Sequence, residues 1–131
     1  MASPRFGATA LGFTLALLLG SLGHPVLASQ GSDKARAALE QGDLRTATME
    51  LRSALQSDPN DADARLLLAR VHLLVGNGEG AEKEIRVAID LGAESGRWRL
   101  DLVEALILQG RFDEALQRLE AGGEVADADA V

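Results

Sequence analysis

The stretch GDLRTATMELRSALQSDPN, residues 42–60, decides the reading of this chain. Shifted forward by 34 residues, its pattern of small and large positions recurs, and a second shift finds it again. Gly42 falls on Gly76 and Gly110, Ala47 on Ala81 and Ala115, and Leu51 on Ile85 and Leu119. Ala54 falls on Ala88 and then on Gly122, while upstream Leu39 falls on Leu73 and Ile107. A fixed period with small residues at small places and large apolar residues at large places marks stacked structural units.

Each unit reads as two helices. Gly42 follows an apolar-periodic run and precedes Asp43, so it ends one helix while Asp43 caps the next. Leu44, Ala47, Leu51, Ala54 and Leu55 then recur at helical spacing on one face. A methyl side chain at Ala47 and Ala54 lets a facing helix come close, and a larger one overpacks the contact. Pro59 stops the helix, and Asn60 or Asp61 can cap the following one. The spacing predicts helices over about 32–41, 43–57, 61–75, 78–91, 96–109 and 111–121, with Ser95 as N-cap of the fifth. Helices of this length are marginal alone, so stacking supplies their stability.

These residues resemble the tetratricopeptide repeat. The first unit carries Gly42, Asp43, Ala47, Leu51, Ala54, Leu55, Asp58 and Pro59. The second carries Leu68, Ala69, His72, Gly76, Ala81, Ile85 and Ala88, and the third Leu102, Leu106, Gly110, Phe112, Ala115 and Leu119. Unit one places Lys34 and Arg36 where the pattern has large residues, and unit two ends in Gly92-Ala93 without the proline. The resemblance implies an all-α fold, an α-solenoid of three helix-turn-helix units over 32–122, with units at about 32–61, 62–95 and 96–122. Residues 34–93 also resemble the opening of the long repeat proteins of bacterial exosortase (PEP-CTERM) and exopolysaccharide systems. Their Ala88-Ile89-Asp90-Leu91-Gly92-Ala93 ending carries that likeness.

Residues 1–28 read as a signal peptide: Arg5, an apolar run over 8–22, Pro25, then Val26-Leu27-Ala28. The run is short for a membrane span. The mature chain is expected to begin at Ser29 and to be exported to the periplasm or beyond; the alternative is an uncleaved inner-membrane anchor at 8–22. Residues 29–31 read as a linker. Residues 123–131 read as a disordered acidic tail, because they hold too little apolar surface to fold.

The chain has 13 basic and 20 acidic side chains, and the leader holds one base and no acid, leaving 12 against 20 and a net charge of −8. That repels phosphate backbones and argues against nucleic acid. With no cysteine, thiol chemistry, disulfides, Cys-based zinc sites and a lipid-accepting cysteine are excluded. His72 is the one histidine after the leader, too few for a His metal site, and stands where a repeat unit puts a bulky packing residue. Residues 76–80, GNGEG, lack a lysine and follow a helix, so they fail as a phosphate loop. No catalytic set, metal site or cofactor is expected.

In the repeat family the first helix of each unit lines a concave groove. The corresponding stripes are Asp63, Leu66, Arg70, Leu73 and Leu74 in unit two and Arg97, Leu100, Glu104, Ile107 and Leu108 in unit three. They are candidates for binding a protein or peptide partner. Equally open is that Leu66, Leu73 and Leu100 pack between neighbouring helices. The family's lysine and asparagine carboxylate clamp is not reproduced, because Ser32 and Arg36 stand at its first-unit places. Glu82 is expected on the solvent face. Leu116 on the last helix is expected to face outward and to drive self-association or fraying there. The expected role is a non-enzymatic interaction module, a scaffold in envelope or exopolysaccharide assembly. The alternatives are a truncated fragment of a longer repeat protein and an accessory subunit of an envelope enzyme.

Overall fold

The computed structural model describes the backbone of residues 25–128 and the side chains of residues 30–122. Six helices follow one another: α1 (Pro25–Glu40), α2 (Leu44–Ser57), α3 (Ala62–Leu74), α4 (Gly78–Asp90), α5 (Ser95–Leu108) and α6 (Phe112–Ala128). There is no strand among the described residues.

The three turns inside the units share one geometry. Gly42, Gly76 and Gly110 have φ of 74°, 73° and 73°, a left-handed conformation that favours glycine. The residue after each closes a 6→1 hydrogen bond back into the helix. Asp43 N donates to Ala38 O at 2.8 Å, Asn77 N to His72 O at 2.8 Å and Arg111 N to Leu106 O at 2.9 Å. Asp43, Asp61 and Asn77 then cap α2, α3 and α4 by accepting from the backbone N–H of Thr46, Ala64 and Gly80. In the first two of these turns, chain reversal is set by two adjacent residues, a glycine that ends one helix and a side chain, Asp43 or Asn77, that opens the next.

Packing follows the period. The pairs α1/α2, α3/α4 and α5/α6 form the units, and α2/α3 and α4/α5 join one unit to the next. The first helices also touch along their row, α1 on α3 and α3 on α5. The second helices do not touch one another among the described residues, so the first helices form the inner, concave row. Small residues lie at the tight points. Ala47 and Ala81 are fully buried and Ala115 nearly so, and Ala81 packs with Leu73 and Ala105. A Cβ at Gly78 would lie 2.5 Å from the Ala105 carbonyl oxygen, so α4 and α5 approach to a distance only glycine allows. At Gly31 a Cβ would lie 2.9 Å from the Ala54 Cβ, which draws α1 against α2.

Several boundaries differ from expectation. Residues 29–31 are not a linker but part of α1, which begins at Pro25. Proline suits that first position because the N–H it lacks has no partner in the first turn. Ser95 is the first helical residue of α5; Glu94 holds the cap position and makes no side-chain cap bond. Helix α6 runs through Gly122 and Gly123 to Ala128. Two interior glycines cost a helix about 1 kcal/mol each and do not forbid it. Residues 1–24, which hold most of the expected leader and its apolar run at 8–22, and residues 129–131 lie outside the described residues. Among the described residues no helix is long and apolar enough to cross a membrane.

The tight contact at Ala81 is open to direct test. Ala81→Leu is expected to destabilise the fold by about 1 to 3 kcal/mol through overpacking. Lys83→Ala, on the exposed side of the same helix, should stay within about 0.5 kcal/mol of wild type. Denaturant melts of the two variants side by side make the comparison.

Candidate protein-interaction surface

The two stripes separate once the structure is in view. In unit two, Leu66 and Leu73 are buried, Leu66 among Ala69, Ile85 and Leu102, and Leu73 against Ala81 and Ala105. They are packing residues under α5, the second of the two roles that the sequence leaves open for them. Asp63 and Arg70 flank that contact and pair with α5. Arg97 donates to Asp63, and Arg70 Nε donates to Asp101 Oδ2 at 3.2 Å. Leu74 is exposed. In unit three the same stripe is open: Leu100, Ile107 and Leu108 are exposed, as are Arg97 and Glu104.

A shallow cleft of about 300 Å³ crosses the inner row, lined by Arg36 from α1, Leu66, Leu67 and Arg70 from α3, and Gly96 and Arg97 from α5. It brings three guanidinium groups together in a chain of net charge −7. Each is held by an aspartate, Arg36 by Asp33 at 3.2 Å and the others as above. Arg36 lay outside the expected stripes, and its 34-residue spacing from Arg70 was the signal that could have found it.

Glu82 departs from expectation. It is buried rather than solvated, and its carboxylate gathers four donors. Arg86 Nε bonds to it at 3.0 Å, Gln109 Nε2 at 2.8 Å and Arg111 Nη1 at 2.6 Å, with Arg86 Nη2 as the fourth. Burial alone would raise its carboxyl; the bonds from Gln109 and Arg86 and the charges of Arg111 and Arg86 outweigh that and hold it below the ordinary glutamate range. Arg111 also bonds Glu114, which lowers that carboxyl, so one guanidinium ties the α5–α6 turn to α4. Gln109 and Arg111 lie 27 and 29 residues away in sequence, so no local pattern announces the burial. Asp43, the cap of α2, is lowered by its bonds from the Thr46 hydroxyl and then the Thr46 N–H.

His72 is half-buried beside Asn77, Nδ1 to Nδ2 at 3.2 Å, in the place of a packing residue. Among the described residues no group of three or more His, Asp or Glu side chains is arranged to hold a metal ion.

Residues 38–94 and 97–121 each match a family model described as tetratricopeptide repeat. A type IV pilus assembly protein, PilF, from Pseudomonas aeruginosa is 33% identical over 104 residues. The match takes in 73% of this chain and 41% of the relative, so the chain spans well under half of that protein's length.

The Glu82 cluster predicts a pH signature. A carboxyl whose folded pKa is depressed adds stability that is full above its unfolded pKa and is lost as pH falls through the folded value. Glu82→Gln should cost about 1 to 3 kcal/mol at neutral pH, since it weakens charge-assisted bonds to a buried group. The gap between wild type and variant should close as pH drops below about 4, the ordinary glutamate range. Urea melts across pH 3 to 7 read both quantities.

Proposed function

Because residues 38–94 and 97–121 match tetratricopeptide-repeat models, we propose that the chain is a non-enzymatic interaction module that grips a segment of another protein in its inner cleft. The observation that carries this reading is the cleft itself, where Arg36, Arg70 and Arg97 converge from three successive first helices over a floor of Leu66 and Leu67. Exposed ion pairs contribute only about 0 to 1 kcal/mol each, so the aspartates that hold these arginines yield readily to carboxylates of a partner. An extended acidic segment with apolar side chains between its charges fits that lining. Guanidinium groups suit it better than ammonium groups because they present paired donors to a carboxylate.

The place of action in this proposal is the bacterial envelope. A leader at residues 1–28 supports export. The likeness to a pilus assembly protein and the resemblance of residues 34–93 to exosortase and exopolysaccharide proteins both support an assembly role there. Scaffolding, rather than catalysis, accords with a surface of paired arginines and aspartates and leucines.

A photo-crosslinking residue at Arg70, in the cleft, is expected to trap a partner in envelope extract, and one at Met49, on the outer face of α2, is not. Adding Arg36→Glu should weaken the Arg70 adduct several-fold by like-charge repulsion. Adducts from Met49 alone would place the partner on the outer row and overturn the reading.

A further inference from the structure

The stripe that α5 covers in unit two is bare in unit three, and its charges are reversed. Leu66 is 4% exposed, and its counterpart 34 residues on, Leu100, is 74% exposed. Leu73 is 8% exposed and Ile107 47%; Ile85 is fully buried and Leu119 47% exposed. These leucines and Ile107, with Phe112 and Leu116, form an open apolar face between α5 and α6. Burial in unit two comes from α5, which lays Trp98, Leu102 and Ala105 on it. The pairs Asp63–Arg97 and Arg70–Asp101 fix that helix in register. A shift of 34 residues turns Asp63 into Arg97 and Arg70 into Glu104. Glu82, which accepts from Gln109 at the C-cap of α5, becomes Leu116.

We infer that the α5–α6 face docks one amphipathic helix of a partner protein whose flanking charges run in the order opposite to α5. Such a helix carries an acid facing Arg97, a base four residues later facing Glu104, and an apolar residue at the level of Leu116. Arg97 keeps Asp63 and is still half exposed, and a guanidinium has donors for a second carboxylate. Glu104 is exposed and makes no ion pair among the described residues. The same charges exclude a second copy of α5: Arg97 would meet Arg97, and Asp101 would meet Glu104. Specificity here comes from repulsion of the wrong helix as much as from attraction of the right one. The inference rests on the interaction-module reading but concerns the α5–α6 face, which shares Arg97 with the inner cleft and otherwise uses other residues.

Two labelled peptides of residues 95–109 test it on the full chain. Both carry Gln109→Leu, and one also carries Arg97→Asp and Asp101→Lys. Fluorescence anisotropy should show the charge-swapped peptide binding about tenfold more tightly, the combined effect of two pairs changed from repulsion to attraction. Glu104→Lys in the protein should abolish that preference, and Leu116→Lys should weaken both peptides. Circular dichroism of each variant controls for folding. Equal affinity for the two peptides overturns the inference, and so does binding indifferent to Leu116→Lys, which would mean that the peptide displaces α5 from unit two. A wild-type dimer dispersed by Leu116→Lys also overturns it, because the face would then belong to a second copy. Leu116→Lys, which lies outside the inner cleft, should leave the cross-link from Arg70 unchanged while weakening the peptides, so failure of one surface is told apart from failure of the other.

Discussion

The close approach of helices at small residues is the constraint on which the rest depends. Ala47, Ala81 and Ala115 recur at one place in three units and are buried in each. Gly78 extends the same principle to the junction between units, where even a methyl group would meet the backbone of α5. With the helices this near, the large side chains Leu51, Ile85 and Leu106 fill the remaining space and are almost wholly removed from water. Each such residue contributes about 1.5 to 3 kcal/mol of burial relative to exposure. No helix here holds itself up; each is stable because a neighbour covers its face.

Coverage by a neighbour explains what could be read from the sequence. The turn glycines and the caps Asp43 and Asp61 were legible because they act through bonds to residues within a few positions. Ala47, Ala81 and Ala115 were legible because the period repeats them. The stripe holding Leu66 and Leu100 was legible as a stripe, yet its exposure was not. Two equivalent leucines differ only in whether, among the described residues, a first helix of another unit lies on them. The buried Glu82 was invisible for the same reason: its partners Gln109 and Arg111 arrive from the next unit. Pro25 reads in the sequence as part of a leader, yet a proline also suits the first position of a helix.

Repetition also organises the electrostatics. Along the inner row, charge fixes the junction of units two and three, where α3 meets α5 through Asp63–Arg97 and Arg70–Asp101. The pairs are partly exposed and individually weak. Their value lies in register, since a helix displaced by one turn would set like charges together. An acidic molecule that gathers its inner arginines into one cleft keeps an attractive site on a surface otherwise repulsive to carboxylates.

The central claim is that stability passes from unit to unit by coverage, with the middle unit covered on both sides. Native-state hydrogen exchange tests this most directly. In an array of nearest-neighbour contacts, the amides of α3 and α4 should exchange slowest and those of α6 should open at distinctly lower free energy. Protection of α6 equal to that of α4 would contradict the account, because it would mean that the terminal face is stabilised without a neighbour.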